Sequence, residues 1–511
     1  MREFLFPRSV AVVGASPKAD TIGGQILIQL LKGFQGRTYA VNPKYRSEKI
    51  GGQVVQFYGK VTHLPETPEL VVVATPANTV PQVVEEAGQA GARAVVVVSG
   101  GFAEVGRRDL EEELISVARK YGVRVLGPNC VGVYNAFNGL DTMFLPAEKA
   151  ARPPPGPVAF LSQSGAVMTA VLDWAAEEGV GVGIAVNFGN RADVTESDFL
   201  QYLDEVEEVK TVALYLEGFR WRGDAARFLA SVRKMKKPVV VYKAGRGADS
   251  TRAAASHTAA MAGSYEMYKA LFRQAGVVEV DNLVELFDAA KALAVYKPVK
   301  VEKVLVISSS GGMGVQIVDA LNAAGFSVPE LPREAQEELK GLLSPIAAVS
   351  NPVDLTGGGV DEHFGAALEV GLKYVDAAVV AALIHPPGYS DKSADYILAA
   401  YEKWGKPILV VSFGGSLQVK KLEKKLRGKL VVVNTPSRAA KALSAVAFYG
   451  SKIYNGGDKR RQKHEAGQGV DSGVSPASGG VAPQQYGGCH KPWACGEGGF
   501  DVGIKGVGED Y

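Results

Sequence analysis

The chain has 511 residues, 47% of them hydrophobic and 22% charged, with a formal net charge of +2. This is the composition of a soluble globular protein, and the length calls for about three domains rather than one core. The near-balanced charge argues against nucleic acid or an acidic membrane surface as partner, and no run approaches the roughly 18 apolar residues of a membrane helix.

Met1 to Arg8 lacks the apolar core of a signal peptide, and Cys130, Cys489 and Cys495 make no disulfide framework. A reducing cytoplasm is the expected setting. Three stretches repeat one pattern of β-rich run, small-residue loop and helix. They are Val10-Ala-Val-Val-Gly-Ala-Ser16, Val158-Ala-Phe-Leu-Ser-Gln-Ser-Gly165 and Val304-Leu-Val-Ile-Ser-Ser-Ser-Gly-Gly-Met-Gly314. Each reads as the opening of a parallel-sheet domain, so the expected class is α/β with three such domains in a row.

Residues 1–127 form the first expected domain, with further strands at 37–41, 70–74, 94–98 and 124–126 and helices at 23–32, 78–90 and 109–121. Strands that are apolar throughout, alternating with amphipathic helices, imply a sheet covered on both faces. Residues 128–157, which end in the Pro-rich run 151–157, read as a linker. The second domain, 158–296, has expected strands at 158–161, 181–186, 211–216, 238–242 and 277–280. Its helices begin near Gly165, Glu196, Asp224, Ser264 and Asn282. The third, 297–454, has strands near 304–308, 377–383, 407–411 and 430–433 and a last helix at 436–449. Residues 455–511 are Gly-rich and aperiodic and read as a disordered tail. Its Cys489, His490 and Cys495 fit no common zinc spacing and lack a fourth ligand, so no metal site is expected.

The candidate sites lie where strands end. Gly14-Ala15-Ser16 opens a loop placed as in a Rossmann domain, at a helix N-terminus that binds phosphate, but the loop is not G-x-G-x-x-G. The second strand ends in Asn42-Pro-Lys44, a cation where a dinucleotide site has an acid, which suits a phosphate-bearing ligand other than NAD. Loops at Thr75-Pro76 and at Ser99-Gly100-Gly101 complete a cleft; an empty, purely structural cleft is the alternative. The turn Ser162-Gln-Ser164-Gly165 opens a helix whose N–H groups and dipole would hold phosphate, although Ser162 or Ser164 serves equally as an ordinary N-cap.

Glu217 ends a central strand on the ligand side of its sheet, as an acid that orients an imidazole or as a solvated strand end. The small-residue stretch 244–264 carries His257, a nucleophile or a surface histidine. Cys130 reads as a buried structural thiol, and the segments 308–314 and 350–356 as packing or subunit contact.

Taken together, Ser256-His-Thr-Ala-Ala-Met-Ala-Gly-Ser264, Gly127-Pro-Asn-Cys130, Ser162-Gln-Ser-Gly165 and Asn351-Pro-Val-Asp-Leu-Thr356 resemble the signatures of the NDP-forming acyl-CoA synthetases. Within that family the chain looks like the α subunits of ADP-forming acetate–CoA ligases, relatives of succinyl-CoA synthetase. The resemblance covers residues 1 to about 454. It implies a Rossmann-like CoA-binding domain followed by two flavodoxin-like domains. It also implies CoA held by Gly14, Ala15, Ser16, Lys44, Thr75, Pro76, Ser99, Gly100 and Gly101.

Phosphate would lie at Ser162, Ser164 and Gly165, with His257 as the phosphorylated residue and Glu217 orienting it. The implied partner is an ATP-grasp β subunit that binds ADP or ATP with Mg²⁺, in an (αβ)₂ heterotetramer. The implied substrates are CoA, phosphate and a small carboxylic acid, acetate first. A CoA-binding regulatory or scaffold protein without catalysis is the competing expectation, and a nicotinamide-dependent oxidoreductase the third.

Overall fold

The computed structural model describes residues 1–221, 223–247, 249–250 and 264–467. Residues Met1–Asp458 form one compact unit that holds three sheets. The first sheet contains β1 (Ser9–Val13), β2 (Arg37–Val41), β3 (Ser47–Ile50), β4 (Gln53–Tyr58), β5 (Leu70–Val73), β6 (Ala94–Val97) and β7 (Arg124–Leu126). Their order is β3-β4-β2-β1-β5-β6-β7. Apart from β3, which pairs antiparallel with β4, this is the doubly wound Rossmann order. Every residue of β1, β5 and β6 is buried. That is why these strands read as unbroken Val, Leu and Ala runs, each fully buried Val contributing roughly 1.5–3 kcal/mol.

The β3–β4 hairpin was not expected from the sequence. Gly51 and Gly52, at φ +57° and +90°, supply its tight turn, and the flanking strands Ser-Glu-Lys-Ile and Gln-Val-Val-Gln-Phe-Tyr are rich in polar residues. The residues 128–157 also differ from the expected linker. They contain β8 (Val133–Asn135) and β9 (Leu140–Asp141), short strands that extend the second sheet by antiparallel pairing. At the Pro-rich end, Pro154 O accepts from the Val182 N–H at 3.0 Å.

The second sheet adds β10 (Val158–Ser162), β11 (Val182–Asn187), β12 (Thr211–Leu216), β13 (Val239–Lys243) and β14 (Val278–Val280). Its order, β14-β13-β12-β10-β11-β8-β9, contains the flavodoxin-like 2-1-3-4-5 arrangement. The third sheet has β15 (Val304–Ser308), β16 (Val353–Asp354), β17 (Ala377–Ala381), β18 (Ile408–Val411) and β19 (Val431–Val433) in the order β16-β15-β17-β18-β19. This is the same arrangement, all parallel.

The motif segment 350–356 packs as expected. Asn351 is buried, its Oδ1 accepting from Val306 N at 2.9 Å and its Nδ2 donating to Pro329 O at 2.8 Å. The last helix, Pro436–Gly467, runs past Tyr454, where the disordered tail was expected to begin. Residues Lys459 to Ala466 are mostly good helix formers, which the glycines on either side conceal. The remainder of the expected tail, with Cys489, His490 and Cys495, lies outside the described residues.

Candidate active site

In open parallel sheets, ligands sit beyond the carboxyl ends of the strands where the strand order reverses. In the first sheet that point lies between β1 and β5, which pair directly. Gly14 follows β1 at φ +86°, and a Cβ there would lie 2.5 Å from Ala74 O, so only glycine lets the two loops approach. The helix Ile22–Gly33 comes as close from the other side, since a Cβ on Gly23 would meet Gly14 O at 2.1 Å.

Around this point the expected CoA-binding loops are joined to one another. Asn42 Nδ2 donates to Ala15 O at 2.8 Å, and Asn42 Oδ1 accepts from the backbone of Lys44 at 3.0 Å. Ser16 Oγ accepts from Lys18 N at 3.1 Å, and Ser99 Oγ donates to Thr75 O at 2.6 Å. Lys44 is exposed, whereas Ala15 and Ser16 are buried. These loops therefore stand together beyond the strand ends, with Lys44 exposed beside them.

In the second sheet the reversal lies between β10 and β12, which pair with Ser162 opposite Tyr215. The turn Ser162–Gly165 and Glu217 therefore leave neighbouring strands on the same side. Ser162 is fully buried, and its Oγ donates to Ser164 O at 2.7 Å, which shapes the turn. Ser164 is the N-cap of the helix Gly165–Glu177, its Oγ accepting from Val167 N at 3.3 Å. The ordinary N-cap reading thus holds for Ser164. A Cβ on Gly165 would lie 2.5 Å from Val131 Cγ2, so close packing requires glycine there.

Glu217 is half-buried. Burial together with the Glu217 carboxylate pushes the Tyr215 hydroxyl well above its ordinary value. Lys243, at the end of the adjacent strand β13, is buried, and its Nζ donates to Glu217 O at 2.8 Å. Burial lowers that ammonium to about 8, against the pull of Glu217.

The strand-end loops of the first two sheets share contacts. Glu104 Oε1 accepts from Gly101 N at 2.5 Å, and its Oε2 accepts from Nδ2 of Asn190, which follows β11, at 2.5 Å. Asn190 O accepts from Arg220 Nη1 at 2.8 Å, and Arg220 also pairs with Glu111. The Gly127-Pro-Asn-Cys130 motif braces this junction, with Asn129 N donating to Ser99 O at 2.9 Å and Asn190 N to Pro128 O at 2.9 Å. Cys130 is fully buried, and burial pushes its thiol up to about 12, so it is the structural residue expected from sequence. His257 lies outside the described residues.

Three family models match successive parts of the chain. The CoA binding domain model matches residues 8–136, the succinyl-CoA ligase like flavodoxin domain residues 155–293, and the ligase-CoA domain residues 304–452. The chain is 35% identical over 457 residues to the Pyrococcus furiosus acetate–CoA ligase (ADP-forming) I subunit alpha, covering 87% of this chain and 96% of that one. The chain belongs to the ADP-forming acetate–CoA ligase family.

Among its members it is also 36% identical to acetate–CoA ligase (ADP-forming) I of Archaeoglobus fulgidus, covering 89% of this chain but only 64% of that longer one. A solved structure, Ca. Korarchaeum cryptofilum dinucleotide forming acetyl-coenzyme A synthetase 1 in complex with phosphate and ADP, matches with a TM-score of 0.80 at 33% identity. The match covers 92% of this chain and 99% of that one. These relatives are CoA ligases, which disfavours the scaffold reading.

In this family member, side chains that carry no sequence signal of their own stand beside the expected ones. Gln163 is buried, and its Oε1 accepts from Glu217 N at 2.7 Å and Gly218 N at 3.0 Å. Its Nε2 donates to Glu196 Oε1 at 2.7 Å, and Glu196 makes a bidentate pair with Arg191, both contacts 2.8 Å. Arg191 reaches Asp224 Oδ2 at 3.3 Å. Among the unexpected residues, Lys243 alone offers a clue, because a lysine that ends an otherwise apolar strand is out of place unless it has a partner.

Proposed function

We propose that this chain is the α subunit of an ADP-forming acyl-CoA synthetase. The reaction is acyl-CoA, ADP and phosphate in equilibrium with carboxylic acid, CoA and ATP, with acetate as the first acid to try. CoA lies beyond the strand ends of the first sheet, its phosphates near Gly14, Ala15, Ser16 and Lys44, and its chain along Thr75, Pro76, Ser99, Gly100 and Gly101. Phosphate sits at the turn Ser162, Ser164 and Gly165, where the N-terminus of the helix favours an anion.

Phosphate oxygen attacks the thioester carbonyl carbon, and the CoA thiolate leaves, giving acyl phosphate. The imidazole of His257 then attacks phosphorus, the acyl carboxylate departs, and Glu217 holds the ring through its second nitrogen. The phosphoryl group passes to ADP. The ADP site belongs to an ATP-grasp β partner, and the assembly is an (αβ)₂ heterotetramer. Among the described residues no group of three or more His, Cys, Asp or Glu is clustered to hold a metal ion. The Mg²⁺ would accompany the nucleotide on the partner.

The observation that carries this reading is the pairing of β10 with β12, which sets the phosphate turn beside Glu217 at the reversal point of the second sheet. The test is acetyl-CoA formation from acetate, CoA and ATP by the chain mixed with its ATP-grasp partner. Turnover that His257→Ala abolishes supports it. Equal turnover in that variant contradicts it.

A further inference from the structure

Glu217 lies one residue beyond the end of β12, where the sheet ladder has stopped. Its backbone N–H and C=O therefore need other partners. Both are taken by buried side chains from the two neighbouring strand ends. The N–H donates to Gln163 Oε1 at 2.7 Å, and the C=O accepts from Lys243 Nζ at 2.8 Å. The exposures of these two side chains, 6% and 3%, exclude water from the same task.

Each holder is itself held. Gln163 Nε2 donates to Gly218 O at 2.9 Å and to Glu196, which is anchored by the Arg191 and Asp224 pairs. Asp224 Oδ2 in turn accepts from Arg220 N at 3.0 Å and Trp221 N at 3.2 Å, so the backbone after Glu217 is fixed as well. Lys243 Nζ also donates to Ala244 O and lies 4.5 Å from the centre of the Tyr268 ring. Burying a lysine is costly, and hydrogen bonds to two carbonyls in one strand-end corner offset that only in part. A strand end alone asks for no such arrangement.

We propose that Gln163 and Lys243 are positioning residues that clamp the Glu217 peptide against the phosphate turn, so that its carboxylate meets the reacting imidazole at a set distance. This rests on the reading of Glu217 as the residue that orients His257. Gln163 belongs to the turn itself, so one side chain fixes the phosphate site and the acid relative to each other. Among the described residues, the charged and titratable groups facing the Lys243 ammonium are Glu217 just after β12, Arg246 beyond β13 and Tyr268 from the helix Tyr265–Ala275.

The experiment uses the full chain with its ATP-grasp partner and compares Gln163→Ala, Lys243→Met, Lys243→Arg and Glu217→Gln. The readouts are kcat, KM for CoA and thermal midpoint. The clamp predicts that Gln163→Ala and Lys243→Met lower kcat about tenfold to a hundredfold, with KM for CoA within about twofold of wild type. Lys243→Arg should recover most of the rate by restoring a donor. Wild-type kcat in both Gln163→Ala and Lys243→Met, alongside a slow Glu217→Gln, would overturn the clamp and leave the role of Glu217 standing. Wild-type kcat in Glu217→Gln would overturn the parent reading. If Gln163→Ala does not fold, the lysine pair decides: equal loss in Lys243→Arg and Lys243→Met, with CoA affinity falling in step, marks a merely structural role.

Discussion

Glu104 and Asn190 join the strand-end loops of the first and second sheets through a single carboxylate. Glu104 Oε1 accepts from the backbone of Gly101 and of Phe102, at 2.5 and 3.2 Å, while Oε2 accepts from Asn190 Nδ2 at 2.5 Å. Burial works against the charge, but these hydrogen bonds outweigh it and hold the carboxyl below its ordinary range. The loop expected to carry CoA is thereby tied to the domain that carries the turn Ser162–Gly165.

Glu104→Ala should therefore weaken CoA binding. Loss of a charge-assisted hydrogen bond costs about 1.5–3 kcal/mol, which is roughly tenfold or more in Kd by calorimetry. An unchanged Kd would show that the Gly100–Gly101 loop keeps its shape without this carboxylate.

Gly14→Ala should weaken CoA binding by about tenfold to a hundredfold. The added Cβ would lie 2.5 Å from Ala74 O at a residue with φ +86°, and backbone strain of this kind costs of order 1–3 kcal/mol. Gly341→Ala serves as the control, since it sits in the helix Arg333–Leu342 with no atom within 4 Å of a new Cβ. It should bind CoA normally and be no less stable than wild type.

Arg191→Ala should destabilise the chain by about 3–5 kcal/mol in denaturant unfolding, because it leaves Glu196 and Asp224 buried without their cation. Arg191 also has φ +57°, a left-handed backbone that its side-chain pairs hold in place. A shift below about 1 kcal/mol would mean that water compensates the acids.

Lys243 sets a stability slope at alkaline pH. Its folded-state value of about 8 lies below the ordinary 10.5, so the unfolded chain binds more protons between these limits. Its contribution is therefore fully present above 10.5 and is lost as pH falls through about 8. The stability of wild type relative to Lys243→Met should rise as pH goes from 8 towards 10.5. A flat difference would place the ammonium in a more solvated setting.

Much of this is legible in the sequence because buried parallel strands read as apolar runs. The β1, β10 and β15 openings, the Gly14 and Ser162–Gly165 turns and Glu217 all follow from strand ends and small residues. The β3–β4 hairpin escapes such a reading because its strands are short and rich in polar residues, although Gly51-Gly52 marks the turn. The strands β8 and β9 escape it because they are very short and β8 pairs with β11 far along the chain, Val133 opposite Val186. No local period reveals that pairing. Gln163, Asn190 and Arg191 act through tertiary hydrogen bonds, which leave no trace in local pattern. The last helix continues past Tyr454 although Asn455-Gly456-Gly457 reads as a break, because good helix formers resume at Lys459.

The most direct measurement is phosphorylation of the chain mixed with its ATP-grasp partner, ATP and Mg²⁺, followed by peptide mass spectrometry at neutral pH. The account predicts an acid-labile phosphate on His257 that acetate plus CoA discharges, and none in His257→Ala. A competent mixture that makes acetyl-CoA while His257 stays unlabelled would contradict it.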